Sequence, residues 1–338
     1  MSNLYAYLTG FTTCAALIVL SGSRLARYGD KIASLTGWGR TWVGLILIAT
    51  VTSLPELMTG IGSVRIIQQP DLTAGNVFGS CVFNLFTLSI ILSMIDVRDR
   101  RPILLQVKNS HLYAGLFGIV LIALSGVAIM LDHLLPPLFW ISPFSLLLIF
   151  TYLLAVQSIF KYTRTESVAN AEVLPDGERK KKELRKTVVA YSMHALVVIA
   201  AALTLPYFGE GIARLTGLSN TFFGTLFMAA VTALPEAVVS FAFIKIGAFD
   251  LLMGNLLGSN AFNIFVLALT DIFYTDGSLF SKIKLEHLES VLVLILMKAV
   301  TGLGFISRTQ KKLWLLSADT FIILLSYIAL MVTLFYKT

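Results

Sequence analysis

The chain has 338 residues, 57% of them hydrophobic and 13% charged, and its mean hydropathy is +0.83; soluble domains carry about 25% charged residues. That composition excludes a soluble globular fold and reads as a polytopic membrane protein. The net charge of +7 is spread over several separate segments, which excludes a nucleic-acid-binding surface, and no Gly-x-x-x-x-Gly-Lys-Ser/Thr phosphate loop is present, which argues against a nucleotide-driven pump.

Apolar runs long enough to span a bilayer need about 17–25 residues. Taken in chain order, they predict ten helices near 4–26, 41–66, 72–95, 110–131, 138–160, 187–207, 220–245, 250–273, 286–306 and 312–335. The first run has no positive charge before it; Arg24, Arg27 and Lys31 follow it. It therefore does not read as a cleaved signal, and positive charge is retained in the cytoplasm, so the N-terminus is expected outside. Alternation from there puts Arg40, then Arg98, Arg100, Arg101 and Lys108, then the 161–186 loop, Lys245, and Arg308, Lys311 and Lys312 inside. Only Arg65, Arg214, Lys282, Lys284 and Lys337 fall outside. The expectation is N-out and C-out, in a cell (plasma or inner) membrane.

The segment 161–186, ending Asp-Gly-Glu-Arg-Lys-Lys-Lys-Glu-Leu-Arg-Lys, is the one long polar stretch. It reads as a cytoplasmic linker loop whose basic run rests on anionic lipid heads. It divides the chain into 1–160 and 187–338, each with five predicted helices. Cys14 and Cys81 lie in separate apolar runs without metal-ligand or disulfide spacing; Cys14 reads as a small packing residue, while Cys81 stands among motif residues and has no assigned role.

The two halves repeat one another. Ala49-Thr-Val-Thr-Ser-Leu-Pro-Glu56 and Ala229-Ala-Val-Thr-Ala-Leu-Pro-Glu236 agree at six of eight positions. Gly29-Asp-Lys-Ile-Ala-Ser-Leu-Thr-Gly37 precedes the first and Gly209-Glu-Gly-Ile-Ala-Arg-Leu-Thr-Gly217 the second. Gly75-Asn-Val-Phe-Gly-Ser-Cys-Val-Phe-Asn84 and Gly254-Asn-Leu-Leu-Gly-Ser-Asn-Ala-Phe-Asn263 follow them. Five helices is an odd number, so the second half re-enters the membrane upside down. The fold class is an all-α membrane protein of two inverted five-helix repeats, whose binding site is expected at the midplane between them.

Glu56 and Glu236 carry the chemistry. A carboxylate at bilayer depth costs several kcal/mol unless compensated, and two in matching contexts point to one paired site. Thr52 and Glu56 are four apart and share a helix face. Pro55 between them cannot donate to the Val51 carbonyl, which frees an oxygen. Thr232, Pro235 and Glu236 repeat the device. Ser80 and Asn84 share a face of the next helix, as do Ser259 and Asn263, and Gly75, Gly79, Gly254 and Gly258 allow close helix approach. Asn76 and Asn255 read as groups that hold the helix break. Any single Ser or Asn here could be simple helix–helix glue. Together they form an all-oxygen set that suits a hard cation of flexible coordination, Ca²⁺ above all.

These repeats resemble the Ca²⁺:cation antiporters, which include the Na⁺/Ca²⁺ exchangers. The resemblance rests on Thr-Ser-Leu-Pro-Glu with Gly-Asn-Val-Phe-Gly-Ser-x-x-x-Asn, and Thr-Ala-Leu-Pro-Glu with Gly-Asn-Leu-Leu-Gly-Ser-Asn-x-x-Asn. It implies that Glu56 and Glu236 ligate Ca²⁺. It implies that Thr52, Ser53, Ser80, Asn84, Thr232 and Ser259, with the carbonyls of Ala49 and Ala229, line the Na⁺ and Ca²⁺ sites. It also implies that the first and sixth helices slide against the rest. Three residues depart from the family pattern: Ala233 replaces a Ser, Cys81 an Asn, and Asn263 the Asp of many Na⁺/Ca²⁺ exchangers.

The function expected is Ca²⁺ exchange for Na⁺ by alternating access, with no resident cofactor. Proton-coupled exchange through the same Glu pair stays open, as does Mn²⁺ or Mg²⁺ as the divalent ion. An intramembrane enzyme built on a carboxylate dyad is disfavoured, because both acids are Glu after Pro among ligand-like hydroxyls; a channel is disfavoured by the matched helix breaks. His111, His194 and His287 fall near predicted helix ends and His133 in a predicted outer loop, and none joins the motifs. Lys298 lies inside the ninth helix without an assigned role. Asp271 and Asp276 read as a solvated end of the eighth helix.

Overall fold

A computed structural model describes residues 2–36, 49–98, 110–167, 177–245, 247–307, 312–313 and 316–337. The elements in chain order are α1 (Ser2–Thr36), α2 (Ala49–Thr52), α3 (Leu54–Gly62), α4 (Pro70–Arg98), α5 (Ser110–Leu131), α6 (Pro143–Ser167), α7 (Glu178–Thr216), α8 (Asn220–Phe223), α9 (Ala229–Lys245), α10 (Phe249–Phe273), α11 (His287–Ser307) and α12 (Ala318–Tyr336). The two-residue strands β1 (Lys312–Leu313) and β2 (Leu316–Ser317) form an antiparallel pair. π-helical turns at Ser63–Ile67 and Gly224–Met228 continue α3 and join α8 to α9. Among the described residues, eight helices are long and apolar enough to cross a membrane, and Pro143–Ile159 is a shorter apolar helix.

The described residues are all-helical apart from that strand pair and the connecting turns, as expected, but several boundaries move. The predicted 138–160 helix begins at Pro143, a residue suited to a first helical turn; Leu138 and Ile141 instead close a small turn through paired backbone bonds of 2.9 and 3.0 Å. The predicted 312–335 helix begins at Ala318, after the strand pair, with Asp319 in its first turn where the helix dipole favours an anion. The 161–186 stretch is not a loop throughout. α6 extends to Ser167 and α7 starts at Glu178, because Glu, Lys, Arg and Leu are strong helix formers whatever their polarity. A Lys31–Glu183 ion pair of 2.8 Å then fixes this extension to α1. Residues 41–48 of the second predicted helix, residues 168–176 of the linker, and Arg40, Arg100, Arg101, Lys108, Arg308 and Lys311 lie outside the described residues.

Burial separates a core from a flanking layer. Of the apolar windows, 78% is buried in α4 and 67% in α10, against 22% in α1 and in α7. α1 and α7 pack along each other and lie on α3 and α9. An apolar cluster of Cys14, Ile18, Ala201, Ala202, Leu205 and Val231 fills that boundary. The main cluster runs through α4, α5, α10 and α11.

Helices α4 and α10 are antiparallel. A Cβ on Gly60 would lie 2.6 Å from Thr270 near the end of α10 and 3.4 Å from Thr73 near the start of α4. Those two ends therefore share one face. The start of α10 lies about 30 Å away at 1.5 Å per residue, close to the thickness of a bilayer core.

Candidate functional site

Both proline-glutamate motifs lie where the helix is irregular. In the first, Ser53 separates α2 from α3 and Pro55 falls in the first turn of α3. In the second, α9 continues through Pro235, and the irregularity is displaced to the π-helical turn that ends just before Ala229. The turn is pressed against α4, and glycines make this contact possible. A Cβ on Gly79 would stand 2.3 Å from the Thr225 carbonyl oxygen, and one on Gly75 3.0 Å from that of Thr221. Bulges of this kind are frequent at functional sites.

The polar side chains of the two motifs pair crosswise. Thr52 donates to Asn255 Oδ1 at 3.3 Å and lies 3.4 Å from Ser259 Oγ. Its repeat counterpart Thr232 donates to Asn76 Oδ1 at 2.9 Å and lies 3.2 Å from Ser80 Oγ. Ser53 donates to Glu236 Oε1 at 3.0 Å. Asn255 also donates to the Glu236 carbonyl at 3.1 Å and to Ser240 at 3.0 Å, which fastens α10 to α9. Asn255 thus holds its motif helix and also accepts from a threonine of the opposite half; Asn76 accepts from Thr232, and its Nδ2 has no hydrogen-bond partner among the described residues.

Glu56 and Glu236 are fully buried, as are Ser53, Ser80, Asn84, Thr232, Ser259 and Asn263, with Thr52 at 1%. Ser80 and Thr232 face Glu56, while Thr52 and Ser259 face Glu236. Yet both carboxylate oxygens of Glu56, Glu236 Oε2, and both polar atoms of Asn84 and of Asn263 have no hydrogen-bond partner among the described residues. Buried polar atoms are otherwise nearly always paired. The unpaired atoms are three carboxylate oxygens, two amide oxygens and two amide nitrogens, and the five oxygens are free to accept. No three His, Cys, Asp or Glu side chains converge among the described residues. The charged groups of the cluster are the two carboxylates, and its other oxygens are neutral. Ala229 is fully buried beside Thr232, its carbonyl 3.4 Å from that hydroxyl, and Ala49 is the first residue of α2.

Asn260 and Ser240 were not singled out from sequence. Asn260 donates to the Cys81 carbonyl at 3.2 Å and accepts the Cys81 thiol at 3.5 Å on its own carbonyl. The signal was present, since Asn260 occupies the place of Cys81 in the repeat. Lys298 is buried at 3% with no hydrogen bond to its ammonium among the described residues. Asp271 corrects an expectation. It is fully buried rather than solvated, and accepts from the Ser142 amide at 2.7 Å, from Ser145 Oγ at 2.5 Å and from the Leu279 amide at 2.6 Å. The loops after α5 and α10 fold over the helix end and supply donors that water would otherwise provide. Asp276 is exposed as expected.

Residues 6–159 and 186–336 match the family described as sodium/calcium exchanger protein. An uncharacterized membrane protein of Methanocaldococcus jannaschii is 26% identical over 82% of this chain and 81% of its own. A sodium/calcium exchanger, MaX1, of Methanosarcina acetivorans is 32% identical over 44% of this chain and 41% of its own. Among solved structures, the sodium-calcium exchanger NCX_Mj, soaked with Na⁺, superposes with a TM-score of 0.61 at 20% identity, covering 98% of this chain and 99% of that one. An H⁺/Ca²⁺ exchanger, CAX, superposes at 0.66 with 13% identity, covering 98% and 88%. Both are likenesses of fold.

Proposed function

The chain belongs to the sodium/calcium exchanger family, and from that premise we propose that it exchanges Ca²⁺ for Na⁺ across a cell membrane by alternating access. The observation that carries the proposal is the pair of fully buried glutamates, three of whose four carboxylate oxygens have no hydrogen-bond partner among the described residues. Two carboxylates balance one divalent ion, and Ca²⁺ takes six to eight oxygens at about 2.3–2.6 Å. Thr52, Ser53, Ser80, Asn84, Thr232, Ser259 and Asn263, with the carbonyls of Ala49 and Ala229, supply the rest. Several Na⁺ replace the Ca²⁺ by using the hydroxyls and carbonyls as additional ligands. In this reading ten membrane segments form two inverted repeats with both termini outside, and α1 and α7 slide over the core.

A second reading, proton-coupled exchange of Ca²⁺ (or of Mn²⁺ or Mg²⁺), is favoured by one feature. Asn263 brings an uncharged amide where many Na⁺/Ca²⁺ exchangers carry an Asp, so the site has two anions. A buried carboxylate without a cation must find a proton instead, so each Glu could carry one back. ⁴⁵Ca²⁺ flux in proteoliposomes, with a Na⁺ gradient in one arm and a pH gradient in the other, separates the two. Flux in the Na⁺ arm that disappears in Glu56→Gln supports Na⁺/Ca²⁺ exchange. Flux in the pH arm alone moves the protein to proton coupling, and flux in neither removes Ca²⁺ as substrate.

A further inference from the structure

Two histidines outside the ion site make the same contact on opposite sides of the molecule. His287, the first residue of α11, places Nε2 3.3 Å from Oδ1 of Asp71, the second residue of α4. His111, the second residue of α5, places Nε2 3.2 Å from Oδ1 of Asp250, the second residue of α10. Both imidazoles are fully buried, and neither Nδ1 has a partner among the described residues. Asp71 and Asp250 are separated by 179 positions, as are Asn76 and Asn255, and Ser80 and Ser259. The two pairs are therefore one device repeated. Each joins a helix of one half to a helix of the other.

Their surroundings differ in detail. Asp71 also accepts the Lys284 amide at 2.9 Å and lies 3.9 Å from its ammonium. His287 is flanked by Thr221 Oγ1 at 3.4 Å and by the ring of Phe78. What the pairs share is position. The antiparallel course of α4 and α10 puts Asp71 and Asp250 at opposite membrane faces. Each stands five residues before a site asparagine and nine before a site serine, about 8 and 13 Å along the helix. A displaced anchor at that range tilts the ligand-bearing turn. For the two histidines, which are fully enclosed, a lost partner is costly because the imidazole cannot turn to water; the Asp71 and Asp250 side chains keep exposures of 11% and 32%.

We propose that Asp71–His287 and Asp250–His111 are matched latches, positioning pairs that hold the ligand-bearing helices α4 and α10 to the opposite half, each setting cation affinity for the membrane face on which it lies. The inference rests on the exchanger reading given above. It requires coupling within each pair, and opposite sidedness between the pairs.

The test uses full-length protein oriented in proteoliposomes, with Ca²⁺ varied on one side at a time. Wild-type flux alone decides the exchanger reading before any variant is compared. His287→Ala is expected to raise half-saturating Ca²⁺ about tenfold on one face and less than twofold on the other, and His111→Ala to do the reverse. His287→Gln and His111→Gln, which keep a donor near the position of Nε2, are expected to recover most of the affinity. Thermal unfolding of His287→Ala, Asp71→Asn and the double variant gives a cycle that needs no transport. Non-additive Tm shifts are expected, with the double variant little worse than His287→Ala alone. Equal effects of both alanine variants on both faces, unchanged affinities in stable protein, or additive Tm shifts would overturn the latches. An inactive wild type with a coupled cycle would instead remove the exchanger reading and leave the tie between the halves standing.

Discussion

Replacing Gly79 by alanine tests whether the close approach of α4 to the π-helical turn positions the ion site. A Cβ there would stand 2.3 Å from the Thr225 carbonyl oxygen, 2.6 Å from the Ala229 Cβ and 2.8 Å from the Thr225 carbonyl carbon. Ordinary contact begins at 3.4 Å, so the two segments must part by about 1 Å, and because the obstacle is mostly backbone no rotamer change relieves it. Overpacking of this kind costs about 1–3 kcal/mol, partly offset by the roughly 1 kcal/mol by which alanine exceeds glycine in a helix. The effect on ion binding is larger. Ser80 follows Gly79 directly, and Ala229 is one of the residues struck. Ca²⁺–oxygen distances span only about 0.3 Å, so a 1 Å parting exceeds the tolerance of the coordination shell several times over. Gly115→Ala in α5 is the control, since nothing lies within 4 Å of its Cβ. Thermal unfolding in detergent and ⁴⁵Ca²⁺ flux should find Gly79→Ala less stable by a few degrees and at least tenfold weaker for Ca²⁺. Gly115→Ala should match or slightly exceed wild-type stability. A Gly79→Ala protein indistinguishable from wild type in both assays would refute the argument.

Glu56→Gln and Glu236→Gln each remove one charge from the two that balance a divalent ion, and each should lower Ca²⁺ flux at least a hundredfold while the protein stays monodisperse on size exclusion; flux within tenfold of wild type would place the ion elsewhere. Lys298→Met fills the same volume without a buried ammonium that lacks hydrogen-bond partners among the described residues, and should raise stability by about 1–3 kcal/mol; a lower Tm would mean that the ammonium has a partner. Asp271→Asn turns one acceptor oxygen into a donor amid two backbone amides and a serine hydroxyl, and hydrogen bonds to charged groups contribute about 1.5–3 kcal/mol each. It should lower Tm by more than Asp276→Asn, whose carboxylate is exposed, and equal shifts would contradict the clamp.

The site was legible in the sequence because its signal is chemical. Thr, Pro and Glu in a run that should face hydrocarbon have no cheap explanation, and a second copy removes chance. The repeat offset relates Thr52 to Thr232 and Asn76 to Asn255, but that each threonine meets the asparagine of the opposite half is visible only in space. The ends of the elements were less legible for the same reason that the middles were clear. Hydropathy marks where a helix crosses lipid, and not where its hydrogen bonds stop. So α7 runs on through Glu178–Lys186, whose residues favour helix although they are charged. Asp271 was misread because a helix-terminal acid gives no hint that two loops will fold over it. The histidines are the plainest case. His111 and His287 are separated by 176 positions rather than the 179 of the aspartates, and only their contacts in space reveal the repetition.

The two kinds of contact in the molecule divide along the boundary that transport requires. Within the core, the halves are joined by directional hydrogen bonds: Thr52 to Asn255, Thr232 to Asn76, Ser53 to Glu236 and Asn260 to Cys81. Such bonds weaken steeply with misalignment, so these helices keep their register. At the boundary with α1 and α7 lie contacts of another type. Gly22 of α1 is so close to Pro235 that a Cβ would lie 2.8 Å from its ring, and Gly62 of α3 leaves room for the Leu203 backbone of α7, 2.5 Å from where a Cβ would stand. Apolar clusters around Ile18 and Ala202 and around Ile212 and Phe223 also lie along this boundary. Apolar burial is non-directional, and its energy changes little when one smooth surface shifts over another. Pro235 immediately precedes Glu236, and Gly62 lies six residues beyond Glu56, so the surface runs along the two segments that carry the carboxylates. In the proposed exchange, a sliding α1–α7 layer would change which face of the site is covered without disturbing the hydrogen bonds within the core.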